Sequence, residues 1–287
     1  DVKRIMHARI AEPGCRKPFL KAVKLLGIAA VCLVFLFPVL WILSVSVRSE
    51  KAVFETALAV KEWHFENYAA AWKTFGFSSM FLNSLVVTAA SIAATLVISA
   101  LAGYAFAKLR YRGSDAVYIV LLTGIMIPQA GILIPFFFLT KEMGLYNTLA
   151  AVVIACVAFG IPLSVMLFRG FFAGLPNEIL EAARVDGCRE AGIFFRICLP
   201  LCKPAVATTV IMLFVTNWND YLMPLVLLRS EQKFTLPLGI ARYVGQWNSP
   251  WNLIAAGVVI CAVPITVVYL AFQSQFVKGL TAGAVKG

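Results

Sequence analysis

Six consecutive residues interrupt a long apolar run late in the chain: Thr216, Asn217, Trp218, Asn219, Asp220 and Tyr221. Amides and a carboxylate held away from water can replace the hydrogen bonds that a polar solute makes with solvent, and aromatic rings can stack on its apolar faces. Polar side chains inside an apolar segment are costly, and they face a bundle interior or a water-filled cavity. Asn and Thr also bond neighbouring helices to one another, so interhelical contact stands beside binding as a reading. On one continuous helix Asn217 and Tyr221 share a face, while Asn219 and Asp220 point elsewhere. The set is therefore not expected to line one narrow path. Gln129, beside Pro128, is a second and weaker candidate for such a path.

The other stretch with chemistry is EAARVDG, Glu181–Gly187, inside the segment 174–204 between two apolar runs. Asn177 can cap a helix there, with Glu178 and Glu181 in its first turns, where acids are favoured. Ala182 and Ala183 are strong helix formers. Gly187 is a natural stop, because the residue past a helix end often needs a positive φ. A helix over 178–186, about 13 Å long, is expected. It either closes the loop as an interfacial helix or serves as a docking knob, with two alanines allowing close approach and charged edges setting orientation.

Catalytic motifs are missing. No Gly-Lys pair occurs, so there is no phosphate-cradling GxxxxGK[ST] loop. HExxH, GxSxG and paired histidines are also absent. None of the seven cysteines forms a CxxC pair, and all are read as free thiols acting as small apolar residues, with no metal site. Among acids only Asp220 clearly lies inside an apolar segment, fewer than proton- or sodium-coupled carriers commonly use. The chain reads as a pathway whose energy comes from elsewhere. A stand-alone secondary carrier for a small polar solute is the alternative, with a membrane enzyme or structural subunit behind it.

The elements that must position these residues are set by composition. With 61% hydrophobic and only 14% charged residues and a mean hydropathy of +0.87, the chain is an all-α integral membrane protein. Six runs reach the roughly 20 residues that a bilayer core requires: about 25–47, 81–107, 116–140, 148–172, 204–228 and 253–275. The first is too long for a signal-peptide core and no small-residue cleavage site follows it, so it counts as a helix. Lys and Arg concentrate in the N-terminal tail, around 108–112, in the loop around 174–204 and at the C-terminal end. They outnumber those on the opposite side by about two to one, which places both termini in the cytoplasm. That distribution explains the net charge of +11 by topology and excludes nucleic acid as a partner. The outward segment 48–80 carries Trp63, His64, Phe65, Tyr68 and Trp72, a density suited to the membrane boundary. His64 has no partner visible in the sequence.

EAARVDGCREAGIFFRICLP resembles the EAA signature, EAA-x3-G-x9-I-x-LP, of the membrane subunits of bacterial binding-protein-dependent ABC importers. Glu181, Ala182, Ala183, Gly187, Ile197, Leu199 and Pro200 match it. EWHFENYAAAW, FLNSL, AGYAFAKLRYRG, PLSVMLFRGFFAGLPNEILEAA and NWNDYLMPLVLL are similar to the carbohydrate-uptake branch. The ending GLTAGAVKG resembles the smaller permease subunit of maltose-type importers. The resemblance implies the type I ABC importer permease fold with six transmembrane helices. It implies three stretches: 1–80, with the first helix and outward loop; 81–276, the transmembrane domain; and 277–287, the tail. It implies that Glu181, Ala182, Ala183, Asp186, Gly187, Leu199 and Pro200 couple to the ATPase, and that Thr281, Gly283 and Lys286 contact it. The implied partners are a second permease subunit, two ATPase subunits, an extracytoplasmic solute-binding protein and the lipid bilayer of a bacterial inner membrane. ATP and Mg would bind the ATPases, with no cofactor on this chain. The implied cargo is a carbohydrate, in the narrower reading an oligosaccharide. In maltose-type importers the larger partner holds the sugar, which weighs against a binding role for Asn217–Tyr221.

Overall fold

The structure is a computed structural model that describes residues 16–54, 60–109, 111–245 and 249–284. Among these residues there is no strand. Four helices are long and apolar enough to cross a bilayer unbroken: α1 (Arg16–Ser46), α3 (Phe77–Lys108), α6 (Leu149–Ala173) and α13 (Trp251–Ala284). Between them lie α2 (Glu66–Thr74), α4 (Ser114–Thr123), α5 (Gln129–Glu142), α7 (Asn177–Val185), α8 (Glu190–Ile193), α9 (Leu199–Leu201), α10 (Lys203–Trp218), α11 (Leu222–Leu227) and α12 (Leu236–Ala241).

The third and fifth spans are not the continuous helices expected over 116–140 and 204–228. The third is split into α4 and α5, which meet at 101°. Pro128 causes this: its ring disfavours the helical region for the residue before it, and Ile127 is extended at φ −83°, ψ 114°. The fifth stops at Trp218 and resumes at Leu222. α10 has 16 residues, about 24 Å, less than the roughly 30 Å hydrocarbon core. At its other end α10 is bent by 73° from the segment Glu190–Leu201.

α3 and α6 pack closely because α3 turns a small-residue face inward. Ser84, Ser91, Thr95, Ser99 and Gly103 are buried along it. A Cβ on Gly103 would stand 2.5 Å from the Phe168 Cβ. Such faces let helix backbones approach where lipid gives no hydrophobic drive. Two apolar clusters result. One, towards the outward end, gathers Phe75, Phe77, Trp218, Met223 and Leu236. The other lies beneath α7 and gathers Tyr104, Phe168, Phe172, Leu180, Ile193 and Phe194.

On the outward side α2 is tied to the ends of two spans. Asn67 donates to the carbonyls of Ser46 (3.0 Å) and Arg48 (2.8 Å) and accepts from Asn252 (3.2 Å). His64 has a partner after all: its Nδ1 lies 2.6 Å from Glu66 Oε1. That bond holds the Glu66 carboxyl below its ordinary pKa. α1 starts at Arg16, ahead of the expected 25. The stretch expected as a separate tail, 277–287, is helical as far as Ala284. Thr281 and Gly283 lie on that helix, and Lys286 falls outside the described residues.

Candidate functional sites: an exposed loop helix and a polar cavity

α7 begins at Asn177, but Asn177 does not cap it. The N-cap residue is Pro176, with no side-chain bond, and the Asn177 Oδ1 instead accepts from Lys108 Nζ at 2.7 Å. The helix ends as the sequence requires. Gly187 has φ +81°. Its N–H bonds the Arg184 carbonyl (3.0 Å), and the Cys188 N–H bonds the Ala183 carbonyl (2.9 Å). This pair of bonds is a Schellman motif, which a residue in the left-handed region makes possible.

The two alanines of the motif part company. Ala183 is buried with Leu180, and its small side chain lets α7 sit down on Phe172 and Phe194 of the inward cluster. Ala182 faces out beside Glu178, Glu181 and Asp186. On the same open side Ile179 is 42% and Val185 88% exposed. Residues 179, 182 and 185 recur at three-residue spacing, so they share a face of the helix. Leu199 is packed against the inward cluster and Pro200, in the first turn of α9, is exposed. Signature residues thus split between an outer face and the support beneath it.

The second site exists because span five breaks. Gln129, Asn217, Asn219, Asp220 and Tyr221 all line one cavity of about 480 Å³, with Thr209 and Thr216 beside them. The expectation that Asn219 and Asp220 diverge from Asn217 and Tyr221 assumed an unbroken helix. The chain leaves the helix after Trp218, and the turn brings all four to one wall. Asn219 Nδ2 donates to the Val215 carbonyl (2.8 Å), and Asp220 Oδ1 accepts from the Met223 N–H (3.4 Å). Irregular backbone at this depth is tolerated where it lines a cavity.

Trp218 is the exception. It is 1% exposed, stacked on Phe214 at 5.3 Å, and it donates Nε1–H to the Cys261 carbonyl at 3.1 Å. It is a packing residue and does not line the cavity. Two wall atoms, Asn217 Nδ2 and Thr209 Oγ1, are buried without a hydrogen-bond partner among the described residues. Buried polar groups left unpaired cost free energy, and both atoms belong to residues that line the cavity. Thr209 carried no signal in the sequence, since a lone Thr in a span bonds its own helix as readily as a solute.

Among the described residues no cluster of three or more His, Cys, Asp or Glu could hold a metal. The six described cysteines are free; Cys15 lies outside the described residues.

A family model described as "Binding-protein-dependent transport system inner membrane component" matches residues 95–281. The chain is 33% identical over 275 residues to the arabinooligosaccharides transport system permease protein AraQ of Halalkalibacterium halodurans, covering 94% of this chain and 98% of the relative. It is 33% identical over 254 residues to the trehalose transport system permease protein SugB of Mycobacterium tuberculosis, covering 88% and 93%. Among solved structures, a chain of a bacterial ABC transporter involved in import of the acidic polysaccharide alginate superposes with a TM-score of 0.78 at 27% identity, covering 92% and 98%.

Proposed function

The chain belongs to the binding-protein-dependent transport system inner membrane components and is a permease subunit of an ABC importer, and on that premise we propose that it helps form a path for an oligosaccharide through the 480 Å³ cavity at the break in span five. The observation that carries this reading is the wall of Gln129, Asn217, Asn219, Asp220 and Tyr221, with the Asn217 amide nitrogen unpartnered. Relatives named for arabinooligosaccharide and trehalose transport support a carbohydrate.

The proposed assembly contains a second permease subunit, two ATPase subunits that bind ATP and Mg, and an extracytoplasmic binding protein, in a bacterial inner membrane. α7 presents Ile179, Glu181, Ala182 and Val185 to a cleft of an ATPase subunit. The inward end of α13, with Thr281 and Gly283, and the segment beyond it with Lys286, supply a second contact. ATP-driven closure of the ATPases moves α7, the spans tilt, and the cavity changes the side to which it opens. The chain is then a bistable element biased by its partner.

The test is uptake of labelled oligosaccharides by cells lacking the chain and complemented with either the natural sequence or Asn217→Leu. Restored, ATP-dependent uptake by the natural chain and reduced uptake by the variant at equal membrane level are expected. Uptake that continues after ATP is depleted would return the stand-alone carrier to the front.

A further inference from the structure

The loop helix is fastened to one transmembrane helix at both of its ends, and that attachment breaks two local rules of helix design. At the amino end of α7, Lys108 in the last turn of α3 donates its ammonium to the Leu175 carbonyl (2.7 Å) and to Asn177 Oδ1 (2.7 Å). A cation at the positive end of a helix is unfavourable, and the one residue able to cap that end, Asn177, is turned away to meet it. Neither choice stabilises α7 as a helix. At the carboxyl end, Arg184 Nε donates to Glu190 Oε1 (2.8 Å), and Tyr104 Oη donates to Glu190 Oε2 (2.8 Å). Tyr104 and Lys108 are one turn apart on α3. Departures from local rules concentrate where function requires them.

The two ties do what one could not. A helix held at a single point pivots there, so its tilt is lost to whatever lies beyond. A nine-residue helix, about 13 Å long, held at both ends passes on rotation as well as displacement. Between the ties Leu180 and Ala183 sit on the inward cluster, and the Tyr104 ring itself packs edge-on against Phe172 at 5.6 Å and beside Phe194 at 5.3 Å. Both carboxylate oxygens of Glu190 are engaged by charge-assisted bonds; the Arg184 pair is half-exposed and contributes modestly, whereas the Tyr104 side is buried. α3 in turn packs along its small-residue face on α6, which contributes Cys156, Gly160 and Ser164 to the cavity wall.

We infer that Tyr104, Glu190, Arg184 and Lys108 are positioning residues that clamp α7 to α3, so that movement of the loop helix is delivered to α3 and through α6 to the cavity. This rests on the coupling role proposed for α7, and its test must separate the two. The assembled transporter, in proteoliposomes with its binding protein and ATPase subunits, is compared for the natural chain, Tyr104→Phe, Glu190→Ala and Glu190→Gln. Three quantities are read: ATPase subunits co-purified, ATP hydrolysed, and sugar moved per ATP. Co-purification and hydrolysis are expected to remain, because the outer face of α7 is untouched. Sugar moved per ATP is expected to fall about fivefold or more, the lower end of usual coupling strengths. Glu190→Gln, whose one amide oxygen can still accept from Arg184 while its amide N–H donates to the Tyr104 hydroxyl, is expected to recover part of it. Tyr104→Phe combined with Glu190→Ala should be no worse than Glu190→Ala alone, since both open one tie.

An unchanged ratio of sugar to ATP in both Tyr104→Phe and Glu190→Ala overturns the clamp. Failure of both variants to assemble also overturns it, leaving a purely structural role. A Val185→Asp complex that still binds the ATPase and transports normally would overturn the coupling role of α7 itself.

Discussion

Gly187 offers a substitution whose effect depends on backbone conformation and hardly at all on space. Its φ is +81°, and a Cβ built there would meet nothing within 4 Å. The cost of Gly187→Ala is therefore the cost of holding an L-residue in the left-handed region, about 1–2 kcal/mol. The chain can escape by rotating to negative φ, but it then loses the bonds from Gly187 N–H to Arg184 and from Cys188 N–H to Ala183. Two such bonds contribute about 1–3 kcal/mol, so escape gives no relief. Either route leaves the intact end about 5–30-fold less populated. Asn, although larger than Ala, tolerates this region better, and β-branched Val is the worst suited. Transport rates normalised to membrane level should fall in the order Gly187, Asn, Ala, Val, with insertion unchanged. If Asn proves worse than Ala, the effect follows side-chain size and the backbone argument is wrong. Normal transport in the Val variant would remove the coupling role from this helix end altogether.

Gly103 and Gly170 make a contrasting pair. A Cβ on Gly103 would lie 2.5 Å from the Phe168 Cβ and 2.9 Å from the Arg169 backbone nitrogen, whereas one on Gly170 meets nothing. Gly103→Leu should sharply lower the amount of protein recovered from the membrane and Gly170→Leu should not; equal recovery would refute the close α3–α6 packing. Trp218→Ala should destabilise the chain by about 3–5 kcal/mol, as loss of a buried large aromatic does, and lower its melting temperature in detergent. Asn219→Ala, on the exposed cavity wall, should leave that temperature within a few degrees and slow uptake; a reversed pattern would exchange their assigned roles. In single-cysteine variants, a membrane-impermeant maleimide added from the cytoplasmic side should label the exposed Cys188 and spare Cys198 and Cys202, both fully buried. Labelling of Cys188 from the outside would invert the topology.

What the sequence made legible follows from how local each cause is. The expected 148–172 and 253–275 fall within a few residues of α6 and of the start of α13, because a long apolar run has only the membrane to satisfy it. Gly187 was legible because one residue type answers one backbone requirement. The break at Pro128 was written in the sequence, yet a hydropathy window averages over it and returns one span where the chain makes two helices. The break after Trp218 is harder to see, because neither Gly nor Pro occurs in 216–222. It is marked by Asn219 reaching back to the Val215 carbonyl and Asp220 receiving the Met223 N–H, side chains that compete with the helix for its own backbone. An Asn-Asp pair inside an apolar run is the signal that could have found it. Assigning faces on an unbroken helix scattered the very residues that the break assembles. Asn177 fails for the opposite reason. Its local role as a cap was sound chemistry, and it was overridden by Lys108, 69 positions away in the chain. Only the packing of α3 beneath the loop could reveal that, and the same packing turns a helix that merely closes a loop into one gripped at both ends.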